Sequence, residues 1–416
     1  MKSNYKTIII LLLSIISCSL AQGLTIISIP WHFTDVLNSS SQFSLAYAII
    51  TFIGVFLGLY AGVIIDCYNR KKILLHINLI SAFTFMLIAV CEIYFNIQSH
   101  FLILLGFAIC SFYYTIFFPN LYAMAQELSD KKKYVRINSY IEVFFQITSI
   151  CSALLCGILL SGSNTIFNYF NITTMQFRAW NIEEIFILNS TLYLVTFILL
   201  LNINYRSSKI DKLPNLSKLF EDVRKAIFFF KKNTRVLIYG ICSQIIFAFL
   251  IVELFTLLPL FVKKCLNENI IIFSLADVTY GLGAVIAGLL IGKLIEKNDK
   301  ISLTIFFILL TGYAFYVMIS YLNLKVFFIT TLMIGMTNAG TRVTRMTYFF
   351  EKIPNKLIGR TNTLFNTVNT LVRVMFILIF SIPWFEQGTN VIYGYKIGII
   401  LLIVFAMPLI FDKRLN

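Results

Sequence analysis

The sequence predicts an all-α polytopic membrane protein, with twelve transmembrane helices in two pseudo-symmetric six-helix bundles. Three observations predict it. Hydrophobic residues make up 59% of the 416-residue chain and charged residues 13%, with a mean hydropathy of +0.85; a soluble domain is nearer half apolar and about a quarter charged. The apolar residues fall in long blocks, each close to the roughly 20 residues that cross the hydrocarbon. The two halves also repeat one charged pattern at a fixed offset. Together these exclude a soluble enzyme, a disordered chain and a disulfide-stapled secreted scaffold. Lipid leaves backbone groups unsatisfied outside helices or closed barrels, and the blocks lack the every-second-residue alternation of barrel strands.

The first block, 8–29, follows Lys2 and Lys6 as a signal peptide would, and Ser17-Cys18 has the look of a lipoprotein cleavage site. The apolar run nevertheless continues past Cys18 to Pro30, so it reads as an uncleaved first helix. The second block, 43–65, stops at Asp66, and the third, 73–95, starts behind Arg70-Lys71-Lys72. Blocks 101–123, 140–160 and 185–203 complete the first bundle, expected over 1–203. A polar stretch, 204–235, is dense in Lys and Arg; its KLFEDVRKAIFFFKK segment suits an amphipathic surface helix, and a linker is the simpler description. Six further blocks, 236–262, 270–291, 301–322, 326–350, 364–384 and 391–411, form the second bundle, expected over 236–416.

Twelve spans put both termini on one side. Of 34 basic residues, only Arg178, Lys263, Lys264, Lys325 and Lys396 fall in loops on the opposite side. Basic loops stay inside, which predicts cytoplasmic termini in a bacterial inner membrane. Topology thus accounts for the net charge of +15 without a nucleic-acid partner. The 8 cysteines form no C-x-x-C pair and the 3 histidines are scattered, so no disulfide framework, metal site or cofactor is expected.

The internal repeat is specific. Glu127, Arg136, Asn138 and Ser139 map onto Glu351, Arg360, Asn362 and Thr363 at one offset of 224 residues, and Lys132 maps onto Lys356. The loop after the second span reads GVIIDCYNRKK, with Gly62, Asp66, Asn69, Arg70, Lys71 and Lys72. It resembles the signature loop of the major facilitator superfamily, G-x-x-x-D-R-x-G-R-[KR]-[KR], with Cys67 for the usual Arg and Asn69 for the usual Gly. Asn tolerates a left-handed backbone, so the tight turn survives. A degenerate copy runs from Gly288 to Lys297, with Gly292 where Asp66 stands. The resemblance covers essentially the whole chain. Pro30-Trp31 and the Ile353-Pro354 to Gly359-Arg360 loop resemble the macrolide-efflux and enterobactin-exporter branch. The resemblance implies a secondary transporter that works by alternating access. It also implies that Asp66 meets the N-terminus of the eleventh helix and that Arg70 pairs with Glu127. With Gly62, Arg136, Glu351 and Arg360 these residues would latch the cytoplasmic side. For Lys71 and Lys72, orientation by charge is the preferred account.

Ionisable residues inside spans are costly and face the protein interior or a wet cavity. Those singled out are Glu142 in span five, Glu253 in span seven and Asp277 in span eight, with Arg342 and Arg345 in span ten and Arg373 in span eleven. Helical spacing groups Asn338, Arg342 and Arg345 on one face. Asn362, Asn366, Asn369 and Arg373 form a second stripe, and Asn138, Glu142, Gln146 and Ser149 a third. Three readings are open. The charges pair and brace the bundle. Alternatively Glu253 and Glu142, with Asp277, load and release protons. In the third, Arg342 and Arg373, with Arg345, Asn338, Asn366 and Gln146, line a cavity for an anionic substrate.

No phosphate-binding loop of the G-x-x-x-x-G-K-[ST] type is present, so this chain carries no ATP motor. The leading expectation is proton-coupled efflux, by antiport, of a small amphipathic or anionic compound such as a drug or siderophore, by a monomer. Import of a siderophore, metabolite or nutrient is the alternative. A non-transporting receptor or scaffold is the third, and an enzyme is not expected.

Overall fold

A computed structural model describes residues 5–95, 99–128, 134–162, 178–203, 205, 224, 227–354 and 357–414. The regular secondary structure of these residues is helical throughout. The helices are α1 (Tyr5–Asp35), α2 (Ser40–Cys67), α3 (Arg70–Phe95), α4 (His100–Leu128), α5 (Tyr134–Ser161) and α6 (Ile182–Leu201). In the second half they are α7 (Thr234–Lys264, in segments), α8 (Ile270–Lys297), α9 (Lys300–Ser320), α10 (Leu324–Lys352), α11 (Ile358–Phe380) and α12 (Val391–Arg414). Most of the polar stretch 204–235 lies outside the described residues. Eleven of the twelve helices are long and apolar enough to cross a membrane. The twelfth, α10, has the length but is threaded with threonines, Asn338, Arg342 and Arg345.

The chain divides into two compact units, Met1–Leu37 with Ile49–Pro214, and Asn38–Ala48 with Asn215–Asn416. In the first, α1 packs on α4, α5 and α6, while α3 packs on α4 and α6. The first helix runs unbroken through Cys18 and Pro30. Its buried face is studded with small polar residues, among them Ser14, Ser17, Gln22, Thr25 and Ser28. In lipid such groups hold helices together by hydrogen bonds and close contact. Thus Asn189 of α6 donates to Thr25 Oγ1 at 2.9 Å, and Ser17 donates to the Leu192 carbonyl at 2.7 Å.

In the second unit α8 packs on α10, and α9 packs on α10 and α12. Asparagine and aspartate caps start these helices: Asn269 accepts from Ile271 N, Asp299 from Ser302 N and Asn323 from Lys325 N, satisfying amides that have no intrahelical partner. Glycine allows the closest approach, between α8 and α10. A Cβ on Gly335 would lie 2.0 Å from the Tyr280 carbonyl oxygen, and one on Gly283 would lie 2.0 Å from that of Leu332. No other residue fits either position without separating the helices.

The seventh helix is the irregular one. Segments Thr234–Cys242 and Ile245–Val252 are separated at Ser243-Gln244, and a π-turn, Glu253–Leu257, precedes Leu258–Lys264. Pro259 supplies the cause. It has no amide hydrogen and its ring clashes with the carbonyl four residues earlier. The helix widens ahead of it, and Leu258 N–H reaches back five residues to the Glu253 carbonyl.

Candidate functional site

The widened turn sets Glu253 on the wall of a small cavity lined by α7, α8 and α10. Its volume is about 90 Å³, and its polar wall is Glu253, Asp277, Tyr280, Thr331 and Asn338, with apolar side chains around them. Glu253 is 7% exposed and accepts a hydrogen bond of 2.7 Å on Oε1 from Tyr395 of α12, itself fully buried. Asn338 hydrogen-bonds to the Tyr280 hydroxyl across the glycine crossing, and Thr331 bonds to Thr279 at 2.7 Å. Asp277 makes no hydrogen bond or ion pair with any described residue. Two carboxyl groups therefore face one cavity with a single hydroxyl donor between them and no described cation in contact. A drug-sized ligand needs roughly 300 Å³ or more. This space suits a proton, a small ion or a few waters, each water taking about 30 Å³.

The arginines do something else. Arg345 is buried, and its Nη1 donates to the Ser243 carbonyl at 3.1 Å; Asn369 donates to the Gln244 carbonyl at 3.2 Å. Both brace the break in α7, where the Gln244 carbonyl also accepts from Ala248 N at 3.0 Å. Arg373 is half-buried and donates to Thr370 Oγ1 at 2.9 Å, leaving its Nε buried without a partner. Arg342 and Asn366 are exposed. Among the described residues, then, Glu253, Asp277, Arg342, Arg345 and Arg373 form no ion pairs with one another. On α10, at about 100° per residue, Asn338, Arg342 and Arg345 lie within about 60° of one another, and Arg342 is the exposed member of that face.

In the first unit Glu142 is exposed and accepts from the Tyr122 hydroxyl at 2.5 Å, with Gln146 half-buried one turn away. Arg70 Nη1 lies 2.7 Å from Glu127 Oε1 and 2.8 Å from the Ala123 carbonyl. The Tyr205 hydroxyl donates to the same carboxylate, and burial together with that carboxylate raises the tyrosine's pKa. The second unit has a matching pair, Lys300 Nζ to Glu351 Oε1 at 2.9 Å. In each pair a base on the first residue of the third helix of its half meets a glutamate on the next-to-last residue of the fourth. The offset of 224 does not find Lys300, because α9 and the loop after it are six residues shorter than α3 and its loop. Arg360 has a partner of its own. The side chains of Gly62, Asp66, Arg136 and Asn138 lie outside the described residues.

Three things were not anticipated from sequence. Tyr280 and Tyr395 sit among 21 tyrosines with nothing to mark them. Glu92, in α3, is 4% exposed with both carboxylate oxygens unpartnered. An acid inside the apolar block 73–95 was visible by the criterion that picked out Glu142.

A twelve-helix membrane protein with repeated halves, a broken seventh helix and a buried carboxyl cavity has the architecture of a secondary transporter. The model of the Major Facilitator Superfamily matches residues 11–377, and the chain belongs to that superfamily. It is a transporter and not an enzyme. Solved structures agree on the fold. The nucleoside transporter NupG superposes with a TM-score of 0.71 at 15% identity, over 99% of this chain and 98% of that one. A D-xylose-proton symporter gives 0.69 at 12% identity, over 97% of each chain. A bacterial homologue of the iron transporter ferroportin gives 0.68 at 13% identity, over 97% and 99%. No curated protein matches in sequence.

Proposed function

We propose that this transporter is proton-coupled and exports a small amphipathic or anionic compound, with Glu253 and Asp277 as the coupling groups. The observation that carries this reading is the cavity of about 90 Å³ in which both carboxyl groups lie without a cation among the described residues. An unpaired carboxylate in a low-dielectric site is intolerable, so these groups exchange protons as access to them alternates. The cavity is too small for the substrate, which binds elsewhere. Arg342, exposed, and Arg373, with its unpartnered Nε, favour an anion there, with Asn366 beside them on α11. In the first unit, Gln146 on α5 is a further substrate candidate and Glu142 a further proton-coupling candidate. Arg70 with Glu127, and Lys300 with Glu351, act as latches that open during the cycle, alongside Gly62, Asp66, Arg136 and Arg360. The charge distribution favours cytoplasmic termini; an inner membrane and a monomeric unit are part of the same proposal.

The test is transport in proteoliposomes under an imposed pH gradient, with anionic and amphipathic candidates. Glu253→Gln and Asp277→Asn should abolish gradient-driven movement while leaving substrate exchange at zero gradient intact. Gradient-driven transport that survives both changes refutes the coupling assignment. Movement of substrate only along the proton flux, rather than against it, selects import over export.

A further inference from the structure

We propose that Glu92 is a proton-binding site in the first unit, reached through Glu183, separate from the cavity of the second unit. The antiparallel register of α3 and α6 brings the two acids together. Ser190 Oγ donates to the Ala82 carbonyl at 2.7 Å, and the Phe85 and Phe186 rings are 5.5 Å apart. Seven residues further along α3 from Phe85, Glu92 stands opposite the first turn of α6, where Glu183 is the charged group that acts on it.

Glu183 and its neighbour are used differently. Glu184 closes the capping box onto the Asn181 amide at 2.9 Å and pairs with Arg178 at 2.5 Å. Glu183 Oε2 is buried with no partner, as are both oxygens of Glu92. From α4, the other helix packed on α3, the titratable residue at this end is His100, whose ring lies edge-on to Phe33 of α1 at 5.7 Å. Arg178 is held by Glu184. Among the described residues, neither oxygen of Glu92 has a hydrogen-bond partner and no ion pair reaches it.

Helix polarity decides which acid holds the proton. Glu92 is in the last turn of α3, where the carbonyl end of the dipole repels an anion. Glu183 is in the first turn of α6, where the amide end attracts one. Glu92 is also the more deeply buried, and Glu183 is half-buried. Glu92 is therefore the carboxylic acid and Glu183 the carboxylate that passes the proton on. The step is simple protonation, a carboxylate plus a proton giving a neutral carboxyl, with no other reactant.

Infrared spectroscopy of the purified full-length protein tests this through the C=O stretch of protonated carboxyls at neutral pH. Glu92→Gln should remove intensity equivalent to one carboxyl, and Glu92→Asp should keep it. Glu183→Gln should keep the band but slow its hydrogen–deuterium exchange several-fold. A spectrum unchanged in Glu92→Gln overturns the proposal. So does a metal ion that copurifies stoichiometrically and is lost in both glutamine variants, which would make the pair a metal site. Glu253→Gln removes a different component, so failure here is distinguishable from failure of the coupling reading. Size-exclusion profiles confirm folding, and the Asp variant keeps the test decisive if the amide misfolds.

Discussion

The helices α1 and α7 open the two halves, and each carries a proline five residues before its last residue, Pro30 before Asp35 and Pro259 before Lys264. One stays α-helical through its proline; the other opens into a π-turn six residues ahead of it. The residues at matching distance are Leu24, fully buried in apolar packing, and Glu253, held by Tyr395. Proline thus determines where a helix is weak, and the groups around it determine what the weakness becomes. An apolar neighbour lets the chain absorb the missing hydrogen bond. A carboxyl with a phenol and a cavity to face stabilises the wider turn.

Removing each proline in turn tests this difference most directly. Pro259→Ala restores an amide donor, so the turn should revert to α and rotate Glu253 by about 100°, away from Tyr395 and the cavity. Gradient-driven transport should fall at least about 10-fold, equivalent to about 1.4 kcal/mol, with folding retained by circular dichroism. Pro30→Ala should leave transport within a factor of about 2. Equal effects would mean that the prolines act through helix stability alone.

Much of this was legible beforehand, and what was not has physical reasons. Lipid forces every span to be a long apolar run, so the twelve helices could be read, including α10, whose polar face is buried against its neighbours. The ends were read short, α4 stopping at 123 rather than Leu128, because helices project beyond the hydrocarbon. Glu253 and Asp277 stood out as ions in apolar surroundings. Their relation to the arginines did not, since residue type carries no azimuth or depth. The carbonyl that occupies Arg345 belongs to Ser243, at a break in α7 with no glycine or proline at either of its positions.

Two glycines, one in each unit, differ in what an added Cβ would meet, which gives the next lever. Gly106 in α4 would place a Cβ 3.3 Å from the Phe85 ring, a side chain able to give way. Gly335 in α10 would place one 2.0 Å from backbone. Gly335→Ala should therefore cost about 1–3 kcal/mol, the range for overpacking, and weaken the Asn338–Tyr280 contact. Gly106→Ala should cost less than half as much. Thermal unfolding in detergent, with transport assayed in parallel, separates the two. Tyr395→Phe is the next smaller change. It leaves Glu253 Oε1 without its donor at a cost of about 1–3 kcal/mol if the group stays ionised, and less if the group takes up a proton, so the loss should shrink as pH falls.

The smallest effect is expected where α7 ends. Glu386, in the 3₁₀ turn Pro383–Glu386, accepts from the Ser41 amide in the first turn of α2 and lies near Lys264, the last residue of α7. Burial raises its pKa, and the Ser41 amide and Lys264 offset that only in part. A carboxyl raised in the folded state contributes most below its ordinary value of about 4.3 and loses that contribution as pH climbs through the folded value. Glu386→Gln keeps an acceptor for Ser41 and removes the charge that burial penalises. Its melting temperature should match the parent's at acid pH and exceed it slightly at neutral pH, flattening the profile between. A parent that gains stability over that interval would show instead that the attraction to Lys264 and the cap on α2 outweigh burial, so that the end of α7 is held by charge.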